Sequence, residues 1–101
     1  MRVILRVTLP LEPFNTAVRN GTAGETLNRI IADAKPEAVY FTEIDGARTA
    51  ILVINIERES QIPAYAEPWF LSFNAQCRFR IAMSPEDLAQ AGLDELGKKW
   101  A

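Results

Sequence analysis

The chain has 101 residues, is 49% apolar, and carries 11 basic against 13 acidic side chains for a formal net charge of −2, the make-up of one ordinary globular domain spanning residues 1–101. Nucleic acid is excluded as a partner by this balance, since phosphate binding needs a net basic surface, and no apolar run approaches the ~20 residues of a membrane-spanning helix. The absence of histidine removes His-based triads, His-ligated zinc and haem, and the commonest general base near neutral pH.

Residues 2–9, RVILRVTL, alternate: Val3, Leu5, Val7 and Leu9 share one face, and Arg2, Ile4, Arg6 and Thr8 the other. Period-two alternation with β-branched residues predicts a strand rather than a signal peptide, ended by Pro10 and Pro13, which cannot donate ladder hydrogen bonds. Over residues 14–36, Phe14, Ala17, Val18, Gly21, Leu27, Ile30, Ile31 and Ala34 recur at steps of three and four. This spacing predicts one continuous helix. The alternative is a short lead-in followed by a helix from Thr22, because Thr22 and Glu25 match a capping box. Asn20-Gly21-Thr22 also fits a glycosylation sequon, but Asn-Gly there reads as a point of backbone adaptability.

Residues 38–44 and 47–57 are rich in β-branched and aromatic side chains, and Asp45-Gly46 joins them as a tight hairpin. In the second strand Ala50, Leu52, Ile54 and Ile56 form one face and Ile51 and Val53 the other, so both faces are apolar at the centre. A sheet covered by helices on one side should show a polar open face; an apolar one calls for a second cover. Residues 60–75 follow a helical period through Ile62, Tyr65, Ala66, Trp69, Phe70 and Phe73. Pro68 lies inside that span and predicts a bend near Ala64. Residues 76–83 alternate as a final strand, and Ser84-Pro85-Glu86-Asp87 is a helix start, with the cap, the N1 proline and two acids at the positive helix end. A further helical turn or two runs on to Lys98 and Lys99.

The order β-α-β-β-α-β with a C-terminal helix is the ferredoxin-like α+β plan, with both helices on one face of an antiparallel sheet in the order 4-1-3-2. With this order, EPWFLSFNAQCRFRIAM and KPEAVYFTEIDGARTAILVINIE resemble the second helix, last strand and central hairpin of the dimeric α+β-barrel proteins. That group includes YciI-like proteins, muconolactone isomerase and antibiotic-biosynthesis monooxygenases, and the match is nearest to small uncharacterised bacterial members. The resemblance implies a dimeric α+β barrel, a homodimer in which two open sheet faces meet. It transfers no catalytic residue, because the histidine of the YciI-like pattern has no counterpart here.

Candidate ligand-binding residues fall into sets. Arg6, Arg78 and Arg80 share a face if the first and last strands are neighbours, where guanidinium groups could take a carboxylate or phosphate. The plainer reading is a salt-bridged interface rim neutralised by Glu43, Glu57 or partner acids. Tyr40, Tyr65 and Trp69 could line a pocket between sheet and helices, although their spacing is equally that of a core. Glu43 is a candidate base if desolvated, or plain hairpin charge. Cys77, the only cysteine, alternates with apolar neighbours as an inert thiol and fits a reducing cytoplasm. No metal or cofactor is expected.

Three functional readings follow. One is a cytoplasmic homodimer that binds a small ligand without an assigned activity. The second is a cofactor-independent isomerase or monooxygenase acting on a small aromatic or polyketide-like substrate, with Tyr40, Arg6 or Glu43 supplying polarity. The third is a structural or regulatory interaction module.

Overall fold

The computed structural model describes residues 1–101. Four strands, β1 (Arg2–Leu9), β2 (Ala38–Ile44), β3 (Ala47–Asn55) and β4 (Gln76–Ile81), form one antiparallel sheet in the order β2-β3-β1-β4. The ferredoxin-like order expected from the sequence is therefore present. The β2–β3 turn is the predicted hairpin, with both Asp45 (φ 53°) and Gly46 (φ 78°) left-handed, as a two-residue turn between twisted strands requires. Glu43 closes it by accepting from the Gly46 amide at 2.9 Å.

The helices depart from expectation over residues 14–36. Residues 14–36 form two helices and not one: α1 (Leu11–Arg19) and α2 (Ala23–Ala34). The break is local chemistry. Gly21 adopts φ 78°, and the Asn20 side-chain oxygen accepts from the Thr22 amide at 3.3 Å and from its hydroxyl at 2.7 Å. This small side-chain turn competes with the helical ladder and turns the Thr22 hydroxyl, as donor, toward Asn20, and its oxygen makes no N-cap bond to α2. The helix α3 (Ile62–Phe73), entered through a 3-10 turn at Glu59–Gln61, runs unbroken through Pro68.

One core lies between the sheet and α1–α3. Val3, Leu5, Val7 and Leu9 of β1 and Ala50, Leu52 and Ile54 of β3 point into it, and Trp69 and Phe73 of α3 and Phe14 of α1 pack onto them. The Phe14 and Phe73 rings stand 5.1 Å apart, within the range of favourable tilted pairs.

The sheet is open, which corrects the barrel expectation. β2 pairs only with β3 and β4 only with β1, leaving two free edges. Those edges lie three strand spacings apart, about 14 Å, and closing a sheet requires its edges to meet with a defined tilt and stagger.

Beyond β4 the chain leaves the domain. Helices α4 (Pro85–Ala89) and α5 (Leu93–Lys99) contribute no residue to the core. The Cα radius of gyration is 17.1 Å and the extents are 60 × 28 × 19 Å, against ~13 Å for a compact chain of this length. The C-terminal segment is an arm.

Candidate binding surface on the open sheet face

Strand register fixes which side chains share the uncovered face. Tyr40, Ile51, Arg6 and Arg78 are partners in one row across all four strands. The next row is Ala38, Val53, Ile4 and Arg80, and on the other side lie Thr42, Thr49, Thr8 and Gln76. The face thus has an apolar half, Tyr40, Ile51, Val53 and Ile4, and a cationic half along β1 and β4. Tyr40 is 66% exposed and Ile4 37%. No strand position on this face holds a carboxylate.

The arginines have no acidic partner. The ion pairs of the chain are Arg2–Glu37 (3.1 Å), Arg19–Glu12 (3.6 Å) and Lys98–Glu95 (3.4 Å), and none includes Arg6, Arg78 or Arg80. Nε of Arg6 is buried and makes no hydrogen bond. A buried guanidinium nitrogen without an acceptor is costly unless something supplies one, and Arg6 Nε carries that cost within the chain. Glu43, expected as a neutralising acid or a base, points to the opposite face, opposite Arg48 in the register. There its carboxylate is used by the turn.

The sequence grouped Tyr40 with Tyr65 and Trp69, and the structure separates them. Tyr40 stands on the open face, whereas Trp69 is fully buried beneath the sheet. Tyr65, on the same helix as Trp69, donates its hydroxyl to the Asn55 carbonyl at 3.3 Å. Arg6, Tyr40, Arg78 and Arg80 are brought together; Glu43, Tyr65 and Trp69 do not join them. The sequence reading passed over Ile4 as a member of the patch. Its alternation with Arg2 and Arg6 was the signal.

Elsewhere, a broad cleft of about 930 Å³ runs between α2 and α3, lined by residues including Glu25, Arg29, Asp33, Glu67 and Leu71. None of the seven candidate site residues lies in it. Cys77 is half-buried, and burial pushes its thiol up to about 11, the state of an unreactive sulfur. No three acidic or thiol groups converge to hold a metal ion, and no helix is long and apolar enough to cross a membrane.

No protein-family model matches the chain, and no curated protein is similar to it in sequence. With the sheet open as well, membership of the dimeric α+β-barrel group is withdrawn. The readings that rested on it, a homodimeric barrel protein from bacteria and an isomerase or monooxygenase of that kind, lose their basis with it.

Proposed function

We propose that the open sheet face is an interaction surface on which a second copy of the chain docks, with Arg6, Arg78 and Arg80 receiving carboxylates and Tyr40 supplying an aromatic anchor. The observation that carries this reading is the apolar half of the face. Ile4, Tyr40, Ile51 and Val53 are contiguous across three strands, and a contiguous patch of this kind on a soluble domain marks a contact surface. The orphaned Arg6 Nε supports the anionic part of the contact. Aromatic and arginine side chains are also those that dominate interface energetics. The face is an open sheet surface, and Arg6, Tyr40, Arg78 and Arg80 lie outside the α2–α3 cleft, which suits a macromolecular partner better than a buried small molecule. A reducing, cytoplasmic setting suits the lone thiol of Cys77.

Sedimentation equilibrium on the 11.3 kDa chain tests the reading. The wild type is expected to sediment at twice the monomer mass at micromolar concentration. Ile51→Asp and Tyr40→Asp, both on the open face and outside the core, are expected to sediment as folded monomers. A monomeric wild type at high micromolar concentration overturns the proposal.

A further inference from the structure

The C-terminal arm poses the complementary problem. Its helices have five and seven residues, and isolated helices shorter than ~12–15 residues are marginal in water. They form in proteins when an apolar face is packed. The arm has such a face and nothing on it: Leu88, Leu93, Leu96 and Trp100 are all exposed, Trp100 by 76%. Leu93, Leu96 and Trp100 follow one another at three and four residues, the spacing of a single helical stripe. Around the stripe stand Glu86, Asp87, Asp94 and Glu95, against Lys98 and Lys99 alone.

Arg6, Arg78 and Arg80 of the open face and the apolar stripe of the arm are thus unpartnered within one chain; only Arg2, at the end of that face, feels the arm's Asp87 and Glu86, and the charges of face and arm are opposite. From this complementarity we infer that the C-terminal arm of one copy, residues 84–101, docks on the open sheet face of the other, reciprocally. The inference rests on the interaction-surface reading above and names the segment that occupies it. The partner's apolar stripe covers Ile4, Tyr40, Ile51 and Val53. Its carboxylates meet Arg6, Arg78 and Arg80, and one of them gives Arg6 Nε its acceptor. Direct packing of two open sheets is disfavoured by the same inventory. It would bring arginines of both copies together on faces whose strand positions hold no carboxylate and beside which Glu37 is already paired with Arg2, and like charges opposed at an interface are costly. Helices on the second face also complete a layered architecture that the single chain leaves half built. Reciprocal exchange is self-complementary and closes as a two-fold dimer.

Charge reversal tests the pairing in the full chain. Neither variant touches the core: Arg78→Glu with Arg80→Glu alters the sheet face, and Asp94→Lys with Glu95→Lys alters the arm. Each variant alone is expected to weaken dimerisation by about tenfold or more in sedimentation at low salt. Mixed one to one, the two variants are expected to recover dimers of near wild-type strength, because both exchanged contacts in the heterodimer pair opposite charges. If the arm variant dimerises like wild type while Ile51→Asp does not, the face is an interface and the arm is not its occupant. If the mixture fails to recover, the pairing of arm with arginines is overturned. If the wild type is monomeric, both proposals fall. Circular dichroism on each variant confirms that the fold is intact before association is compared.

Discussion

Arg6 and Arg78 are direct partners across the antiparallel β1–β4 pair, and neither forms an ion pair within the chain. Like charges directly opposite one another on a sheet are destabilising by roughly 0.2–1 kcal/mol, so the monomer carries this arrangement as a cost. Arg78→Gln, which removes the repulsion, is expected to raise the urea midpoint of the monomer, measured at concentrations too low for association. The gain should shrink as salt screens the wild-type repulsion. The same substitution is expected to weaken dimerisation. Opposite signs on stability and on association are what a residue held for a partner gives; a loss of stability would show that Arg78 already has a stabilising contact in the monomer.

Trp69 bears on the division between core and site. It is fully buried and packs against Phe73 at a ring separation of 6.3 Å. Trp69→Ala is expected to cost about 3–5 kcal/mol, a large part of the ~5–15 kcal/mol that keeps a domain folded. Trp69→Phe, which retains a ring against Phe73, is expected to cost less. Urea denaturation followed by circular dichroism measures both, and keeps Trp100 of the arm out of the signal. A change below about 1 kcal/mol for Trp69→Ala would return the residue to the pocket-wall role.

What was legible in the sequence was what local chemistry decides. Alternation over Val3, Leu5, Val7 and Leu9 gave β1 its face, Asp45-Gly46 gave the hairpin, and Ser84-Pro85-Glu86-Asp87 gave the start of α4. The β3 pattern also showed that the second face would be apolar. Tyr40 was harder to place because β2 is apolar on both parities: Val39 and Phe41 partner Leu52 and Ala50, while Tyr40 partners Ile51. Only the register set by the turn distinguishes them. The break at Gly21 was legible only as the alternative offered by Thr22 and Glu25, a helix starting near Thr22, because residues on both sides keep a helical period and the Asn20 side-chain turn leaves no periodic trace. The detachment of the arm was invisible for another reason. Leu93, Leu96 and Trp100 show that the segment has an apolar stripe, but the stripe does not say whether its own domain or another receives it.

Cys77 gives a prediction with a defined pH direction. Burial alone pushes its thiol to about 11, above the ordinary ~8.5, so the folded chain favours the neutral form. The stabilising contribution of that neutral thiol is complete below the ordinary value and is lost as pH rises from there through about 11. At pH 8, alkylation in the folded chain is expected to be at least about tenfold slower than in the urea-unfolded chain, because the thiolate is the reactive species. The folded rate should still be climbing at pH 10. Equal rates in the two states would show a thiol that is exposed or activated, and would reopen a chemical role for it.

Ser84 and Asp87 cap α4 reciprocally: the Ser84 hydroxyl oxygen accepts from the Asp87 amide at 3.1 Å, and the Asp87 carboxylate accepts from the Ser84 amide at 3.0 Å. That backbone hydrogen bond, with the side-chain contact to Ser84, holds the Asp87 carboxyl below its usual range. A depressed carboxylate contributes fully above its ordinary value and loses its contribution as pH falls through the folded one. Amide protection in α4 is therefore expected to be level from neutral pH down to about 5 and to decline only below about 4. Ser84→Ala should lower that protection several-fold at every pH, since a lost cap leaves the first helical amides unsatisfied. The global urea midpoint of the monomer should not move, because α4 lies outside the core. Dimerisation should weaken, because an arm that frays presents its leucines and acids in no fixed order to the partner's sheet. Hydrogen exchange, denaturation and sedimentation on this one variant separate the outcomes: a shifted midpoint would place the arm within the domain's own stability, and unchanged dimerisation would detach the arm from the interface.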